Sequence, residues 1–394
     1  MGEGAAGVTT VTQGNKKGSV REVARVFLKL GTIAFGGPAA HIAMMHDEAC
    51  LKRRWVGEDR FLDLLGAANI IPGPSSTELA MYLGYERAGW RGLVASGVCF
   101  ILPAMIIVLA IAWAYVKYGS LPQAAWLLYG IKPVVVAVIV QALWKLLRTA
   151  VKEALLACMG IAVLGLYLWG FNAIALIFGA GFLVMALRNG WRLWRGGAPV
   201  LAILPAMGLP AGAGAAPFSF ASLFLTCLKI GSVVFGSGYV LLAFLRADFV
   251  ERLRWLTDRQ ILDAVAVGQF TPGPVFTTAT FIGYLLGGVR GGILGTVGIF
   301  LPSFILAAAV FPLVGPLRRS KWASAFLDGV NVGAIGLMVG VTWQLGRAAI
   351  IDWLTLALAA VSAFFLFRFR INSAWIILGG GIVGLVCKLA GWSP

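Results

Sequence analysis

Apolar residues run along this chain in long blocks separated by short polar stretches. The clearest blocks cover 92–116, 154–171, 172–187, 352–367 and 373–387. They are on the scale of the roughly 20 apolar residues that carry a helix across a hydrocarbon core. Two shorter patterns interrupt them. An apolar helix is broken near the start of the chain by Gly36-Gly37-Pro38, and another past its middle by Gly236-Ser237-Gly238. After a polar amphipathic loop, 46–60 or 246–260, comes an apolar stretch split by Pro72-Gly73-Pro74 or Pro272-Gly273-Pro274. The arm 61–71 offers about 11 residues, or roughly 16 Å of helix. That is about half the hydrocarbon thickness, so the economical reading is a re-entrant hairpin of two half-helices. Irregular backbone at that depth is tolerated only where it is buried in protein or lines a wet cavity.

The same order of features occurs twice. Lys29, Gly31 and Phe35-Gly36 match Lys229, Gly231 and Phe235-Gly236, and Trp55 and Asp63 match Trp255 and Asp263. Beyond the two Pro-Gly-Pro breaks the register shifts by one deletion. Gly84-Tyr85, Arg91-Gly92, Leu102-Pro103 and Trp144 then match Gly283-Tyr284, Arg290-Gly291, Leu301-Pro302 and Trp343. Chance does not keep this order from Lys29 to Trp144. The halves are 20–195 and 219–394, joined by a Gly/Pro/Ala-rich linker over 196–218 and preceded by a polar tail, 1–19, expected to be disordered and without the apolar core of a signal peptide. Duplication with helix breakers at matching places marks secondary transporters. The predicted fold is therefore an all-α polytopic membrane protein of two homologous halves. Each holds a broken helix, a re-entrant half-helix hairpin and about four further transmembrane helices.

Composition supports this class. Of 394 residues 60% are hydrophobic and only 12% charged, about half the charge of soluble domains. The net charge of +16 sits in short clusters between apolar blocks, such as Lys52-Arg53-Arg54, as it does in cytoplasmic loops facing anionic lipid. Nucleic acid is therefore not an expected partner, whereas membrane lipids are. In the first half, Lys52 to Arg60, Arg87, Arg91, Lys145, Arg148, Lys152 and Arg188 all fall on one side, the expected cytoplasmic one, if the hairpin is re-entrant. In the second half the count is nearly balanced, and charge alone does not orient it. Five scattered cysteines, and His41 and His46 without ligand spacing, give no metal site. No phosphate loop, His-Glu-x-x-His or Gly-x-Ser-x-Gly is present, so neither a cofactor nor an enzymatic activity is expected.

The candidate chemistry lies at the breaks. Pro38, Pro74 and Pro274 suit a first helical turn. The residues after them would leave free N–H groups and a positive dipole end inside the membrane, which binds anions without a formal charge. Gly36, Gly37, Gly236, Pro72, Gly73, Pro74, Pro272, Gly273 and Pro274 would form that backbone, and Ser75, Ser76, Thr77, Thr277 and Thr278 would add hydroxyls. The competing reading is a structural break whose hydroxyls cap the helix. Lys29 and Lys229 lie in otherwise apolar helices seven residues before the glycine break; they either supply charge to a substrate or snorkel to an interface. Glu78, whose repeat partner is Thr278, is either a helix cap or a proton-carrying coupling residue. Asn69 and Gln269 are matched amides that donate to an anion or satisfy freed carbonyls.

The stretches Phe-Gly-Gly-Pro at 35–38, Asn-Ile-Ile-Pro-Gly-Pro-Ser-Ser-Thr-Glu-Leu-Ala at 69–80, Phe-Thr-Pro-Gly-Pro at 270–274, Gly-Trp-Arg-Gly at 89–92 and Leu-Pro at 102–103 closely resemble the chromate ion transporter family, in its long two-domain form. The resemblance covers nearly the whole chain. It implies chromate efflux from the bacterial cytoplasm across the inner membrane, driven by the membrane potential or a proton gradient and giving chromate resistance. It also implies halves that face opposite ways, an inverted repeat. Sulfate or another oxyanion shares the charge and shape of chromate, and no residue separates them. A homodimer is left open.

Overall fold

The computed structural model describes residues 18–69, 71–119, 121–194, 217–235, 240–311, 321–369 and 371–391. The tail over 1–17, the linker over 196–216 and the Gly236-Ser237-Gly238 break lie outside the described residues. Every regular element among the described residues is helical. In the first half these are α1 (Val20–Ile33), α2 (Gly37–His46), α3 (Glu58–Ala68), α4 (Ser75–Tyr118), α5 (Pro122–Ala150), α6 (Ala154–Leu168) and α7 (Ala173–Trp194). The second half repeats them as α8 (Phe220–Val233), α9 (Leu241–Leu245), α10 (Asp258–Phe270), α11 (Thr278–Val310), α12 (Lys321–Ala349), α13 (Trp353–Phe369) and α14 (Ser373–Leu389). Helices α4, α5, α11 and α12 are long and apolar enough to cross a membrane, and five further helices are shorter and apolar.

Two features refine the expected outline. The segment 46–60 is not wholly a loop. It starts as a π-helical turn, Asp47–Lys52, that continues α2, and Arg246–Arg252 does the same after α9. Each turn is left through an arginine of positive φ, Arg54 at 51° and Arg254 at 55°. The second arm of each hairpin also joins the following span without an intervening loop. The join is a kink, at Ala88-Gly89 in α4 and Gly287-Gly288 in α11, where Gly89 and Gly288 take φ of 63° and 60°. Between α3 and α4 the helix is interrupted at the first Pro-Gly-Pro, so 61–87 is not one continuous helix.

Helix α1 shows how the sequence builds the core. Its apolar positions Val23, Val26, Phe27, Leu30 and Gly31 follow the three-and-four spacing of one helical face and are buried. That face packs on α4. Contact is close because Gly31 has no Cβ: one placed there would stand 2.6 Å from the Phe100 carbonyl oxygen. Gly231 does the same against the Ile299 carbonyl, at 2.1 Å.

The halves interlock. Helix α12 packs on α6 and α7 of the first half, and α5 packs on α13 and α14 of the second. The two long kinked helices meet directly and run antiparallel. Gly97 of α4 faces the Phe304 ring, whereas Gly292, earlier in α11, faces Leu109, later in α4. Tyr82 near the start of α4 stacks on Phe311 with centroids 5.5 Å apart, and Tyr115 near its end meets Phe281 at 5.1 Å. These helices are equivalent members of the repeat, so their opposite directions mean that the halves are related by a two-fold axis across the spans. That is the inverted repeat of many secondary transporters.

Candidate functional site

The two Pro-Gly-Pro tips cross into each other's half. Gly73 N–H donates to the Val234 carbonyl at 2.7 Å, and Gly273 N–H donates to the Ala34 carbonyl at 2.9 Å. Ala34 and Val234 are the residues that end α1 and α8, where the helix breaks leave carbonyls without an intrahelical partner. Each tip thus fills a vacancy that the other half creates. This exchange of equivalent contacts is what two-fold symmetry produces, and the two breaks of each half become one site. Pro74 and Pro274 stand one position before the helical residues, with φ of −78° and −71°. In the first turn of α4, Thr77 and Glu78 N–H both donate to the Pro74 carbonyl, at 2.7 and 3.1 Å.

His41 sits between the tips. It is buried, its Nε2 lies 3.0 Å from the Ala34 carbonyl oxygen and its Nδ1 3.3 Å from Ser76 Oγ. A carbonyl only accepts, so the Nε2–H donates to Ala34. In neutral imidazole Nδ1 then accepts from the Ser76 hydroxyl. Ala34 consequently receives hydrogen bonds from His41 and Gly273 together, and the Ser76 proton is committed to the ring. The Phe100 ring, edge-on to His41 with centroids 5.5 Å apart, closes the apolar side.

Around the first turns of α4 several buried polar groups have no hydrogen-bond partner: Thr77 Oγ1, both carboxyl oxygens of Glu78, Tyr82 Oη and Ser303 Oγ. Glu78 is fully buried. Its Oε1 and the Ser303 hydroxyl both crowd Gly73, and they lie close enough to each other to interact. A Cβ at Gly73, whose φ is 137°, would come within 2.1 Å of the first and 2.2 Å of the second. Buried polar atoms without partners are rare, and such a group in one place calls for a ligand, an ion or water.

The second tip is quieter. Thr277 Oγ1 donates to the Pro274 carbonyl at 2.8 Å and Thr278 Oγ1 to the Val275 carbonyl at 2.7 Å. These two expected anion donors are spent on capping their own turn. Gln269 Nε2, by contrast, is buried without an acceptor, while its counterpart Asn69 lies exposed at the end of α3. Gly36, with φ of 103°, and Gly37 form the turn into α2, and Gly236 is outside the described residues.

Lys29 and Lys229 are brought to neither tip. Lys29 Nζ pairs with Glu48 Oε1 at 3.3 Å, its side chain 59% exposed, and Lys229 pairs with Asp248. Both carboxylates belong to the π-helical turns. Outside the spans, burial alone would push the Glu48 carboxyl up, but hydrogen bonds from Arg53 and Lys29 and the nearby charge of Lys52 hold it below its ordinary value. A more buried pair joins the halves: Lys132 of α5 reaches Asp263 of α10 at 3.3 Å, and Tyr115 of α4 donates to the same carboxylate at 2.9 Å.

A family model described as "Chromate transporter" matches this chain twice, over residues 21–185 and 221–385. The chain belongs to the chromate transporter family. Among its relatives, a chromate transport protein of Cupriavidus metallidurans is 33% identical, with 93% of each chain aligned. A probable chromate transport protein of Synechococcus elongatus is 32% identical over 87% of this chain and 89% of its own. A chromate transport protein of Pseudomonas aeruginosa is 32% identical over 91% and 90%. No solved structure matches the chain.

His41, Tyr82 and Ser303 are buried polar residues at the tips that motif reading passes over. A signal for each lies in the repeat. Where the halves differ by a polar group against an apolar one, His41 opposes Leu241, Tyr82 opposes Phe281 and Ser303 opposes Ala104. All three polar members fall at the first tip.

Proposed function

We propose that this protein is a secondary transporter that moves chromate, a tetrahedral dianion, out of the bacterial cytoplasm across the inner membrane and so confers chromate resistance. The observation that carries the reading is the collection of buried, unpartnered donors at the crossed tips. Thr77, Tyr82 and Gln269 offer uncommitted hydroxyl or amide hydrogens there, at the start of α4 and beside the Ser303 hydroxyl. A helix N-terminus favours negative charge, and the neutral donors supply direction without a fixed cation that would trap the ion. The names of the relatives support chromate as the cargo. Lys29 and Lys229, tied to Glu48 and Asp248, are not part of the contact shell.

The membrane potential suffices as a driving force for export. Two negative charges leaving an inside-negative cell gain about 4.6 kcal/mol per 100 mV. A proton leaving with the anion would cancel half of that. Glu78 governs whether one does. Ionised, it would repel the dianion across the tip; protonated, it tolerates the anion and can donate to it. We assign it the coupling role: occupancy by the anion and by the proton favour one another.

The test is counterflow of labelled chromate in proteoliposomes holding the purified protein, with sulfate as competitor. Counterflow that accelerates under a potential negative on the chromate-loaded side supports the reading. Absence of counterflow defeats it, and equal competition by sulfate makes the protein a general oxyanion carrier.

A further inference from the structure

The opposite ends of the two halves are chemically unlike. A groove of about 490 Å³ at the N-terminal end of α1 is lined by Ser19, Arg21, Glu22, Arg25, Val26, Lys29 and Arg53; Lys29 and Arg53 are paired with Glu48 behind it, which leaves Arg21 and Arg25 as its unbalanced cations. The carboxylate in the groove wall is already engaged: Glu22 accepts from Trp55 at 3.1 Å and from Arg87 at 2.9 Å, and Arg53 lies 3.6 Å away. Arg21 and Arg25 have no carboxylate partner among the described residues. They stand four residues apart, as do Arg25 and Lys29, so three cations form one stripe along the helix. In the inverted half the same positions carry Ala221, Leu225 and Leu253, with Ser222 in place of the carboxylate. An aromatic cluster of Phe218, Phe220 and Trp255 packs at that end instead.

The groove is also amphipathic. Val20, Leu28 and Ile33 of α1 are exposed beside it, on a helix whose opposite face is packed on α4. Two unpaired guanidinium forks suit the oxygens of a phosphate, and the flanking apolar side chains suit acyl chains. The face is the one that the first-half charge count assigns to the cytoplasm, where the leaflet is anionic.

We propose that this groove is a binding site for the headgroup phosphate of an anionic phospholipid of the cytoplasmic leaflet. The lipid phosphate sits between Arg21 and Arg25, with the paired Lys29 and Arg53 lining the wall beside it. Its chains lie along Leu28 and Ile33. The site stands apart from the crossed tips and does not depend on which anion they carry.

The experiment uses the full-length protein in detergent, with phosphatidylglycerol and phosphatidylcholine of identical chains as probes and native mass spectrometry as readout. The parent should retain phosphatidylglycerol in preference to phosphatidylcholine. Arg21→Gln/Arg25→Gln should lose roughly tenfold or more of that preference, the scale expected from two interfacial cations. Arg21→Lys/Arg25→Lys should keep part of it, since charge survives and the fork does not, and Arg148→Gln should keep it all. A preference unchanged by the double glutamine variant would overturn the proposal. So would its displacement by millimolar sulfate, which would make the groove a site for free oxyanions. All variants should elute as the parent does, since both arginines are exposed.

Discussion

Replacing Thr77 by valine separates the functional reading of the first tip from a purely structural one. Thr77 is fully buried and its hydroxyl has no partner, so valine keeps the shape and removes a polar atom that nothing in the protein satisfies. If that hydroxyl donates to a charged oxygen of the cargo, its loss costs about 1.5–3 kcal/mol of binding, or roughly 10- to 150-fold in Kd. Without cargo the sign reverses. Removing an unpaired buried hydroxyl relieves a desolvation penalty of order 1 kcal/mol, so Thr77→Val should melt at the same temperature as the parent or higher. The matched control is Thr277→Val, which gives up the 2.8 Å bond to the Pro274 carbonyl. It should lose about 1 kcal/mol of stability and bind chromate as before. Chromate titration followed by tryptophan fluorescence reads the affinity, and thermal unfolding in detergent reads the stability. If Thr77→Val binds chromate like the parent, the hydroxyl is not a donor to the anion and the site lies elsewhere.

Further outcomes follow from the same geometry. Gly73→Ala should abolish transport and destabilise the fold by several kcal/mol, because its methyl group would meet Glu78 and Ser303 at 2.1 and 2.2 Å in a left-handed conformation; uptake and thermal unfolding report both. Glu78→Gln should bind chromate and transport it with a flat pH profile, and a normal profile would leave Glu78 as a helix cap. His41→Leu, which copies Leu241 of the other half, should slow counterflow by removing a donor from the Ala34 carbonyl and freeing the Ser76 hydroxyl; unchanged flux would remove His41 from the site. The Glu48 carboxyl is held below its ordinary value, so its contribution is present above the unfolded value and is lost as pH falls through the folded one. Hydrogen exchange over 47–55 should therefore rise on acidification below about pH 4, and Glu48→Gln should show raised exchange already at neutral pH.

Much of the architecture was legible because it rests on patterns that survive in one dimension. Half-length arms around a proline-glycine break cannot span a bilayer, and matched breakers in two halves announce a repeat. Direction was not legible from charge, since the second half carries basic residues on both sides. It took the packing of Gly97 on Phe304 and of Gly292 on Leu109 to show that equivalent helices run oppositely. The π-helical turns at 47–52 and 246–252 were hidden because polar residues after a helix read as a loop. At the site, the motif located the tips but not their partners. The exchange of Gly73 and Gly273 between halves is a long-range backbone contact with no side-chain signature. The lysines stood out because a charge in an apolar helix is costly, yet each has a carboxylate nineteen residues on that answers it.

The central claim is that the crossed tips hold the oxyanion. A crystal of the protein soaked in chromate and measured at the chromium absorption edge would locate it. The account predicts one anomalous peak between the two Pro-Gly-Pro tips, within hydrogen-bonding distance of Thr77. A peak at the Arg21–Arg25 groove alone, or beside Lys29 and Lys229 with the tips empty, would contradict it.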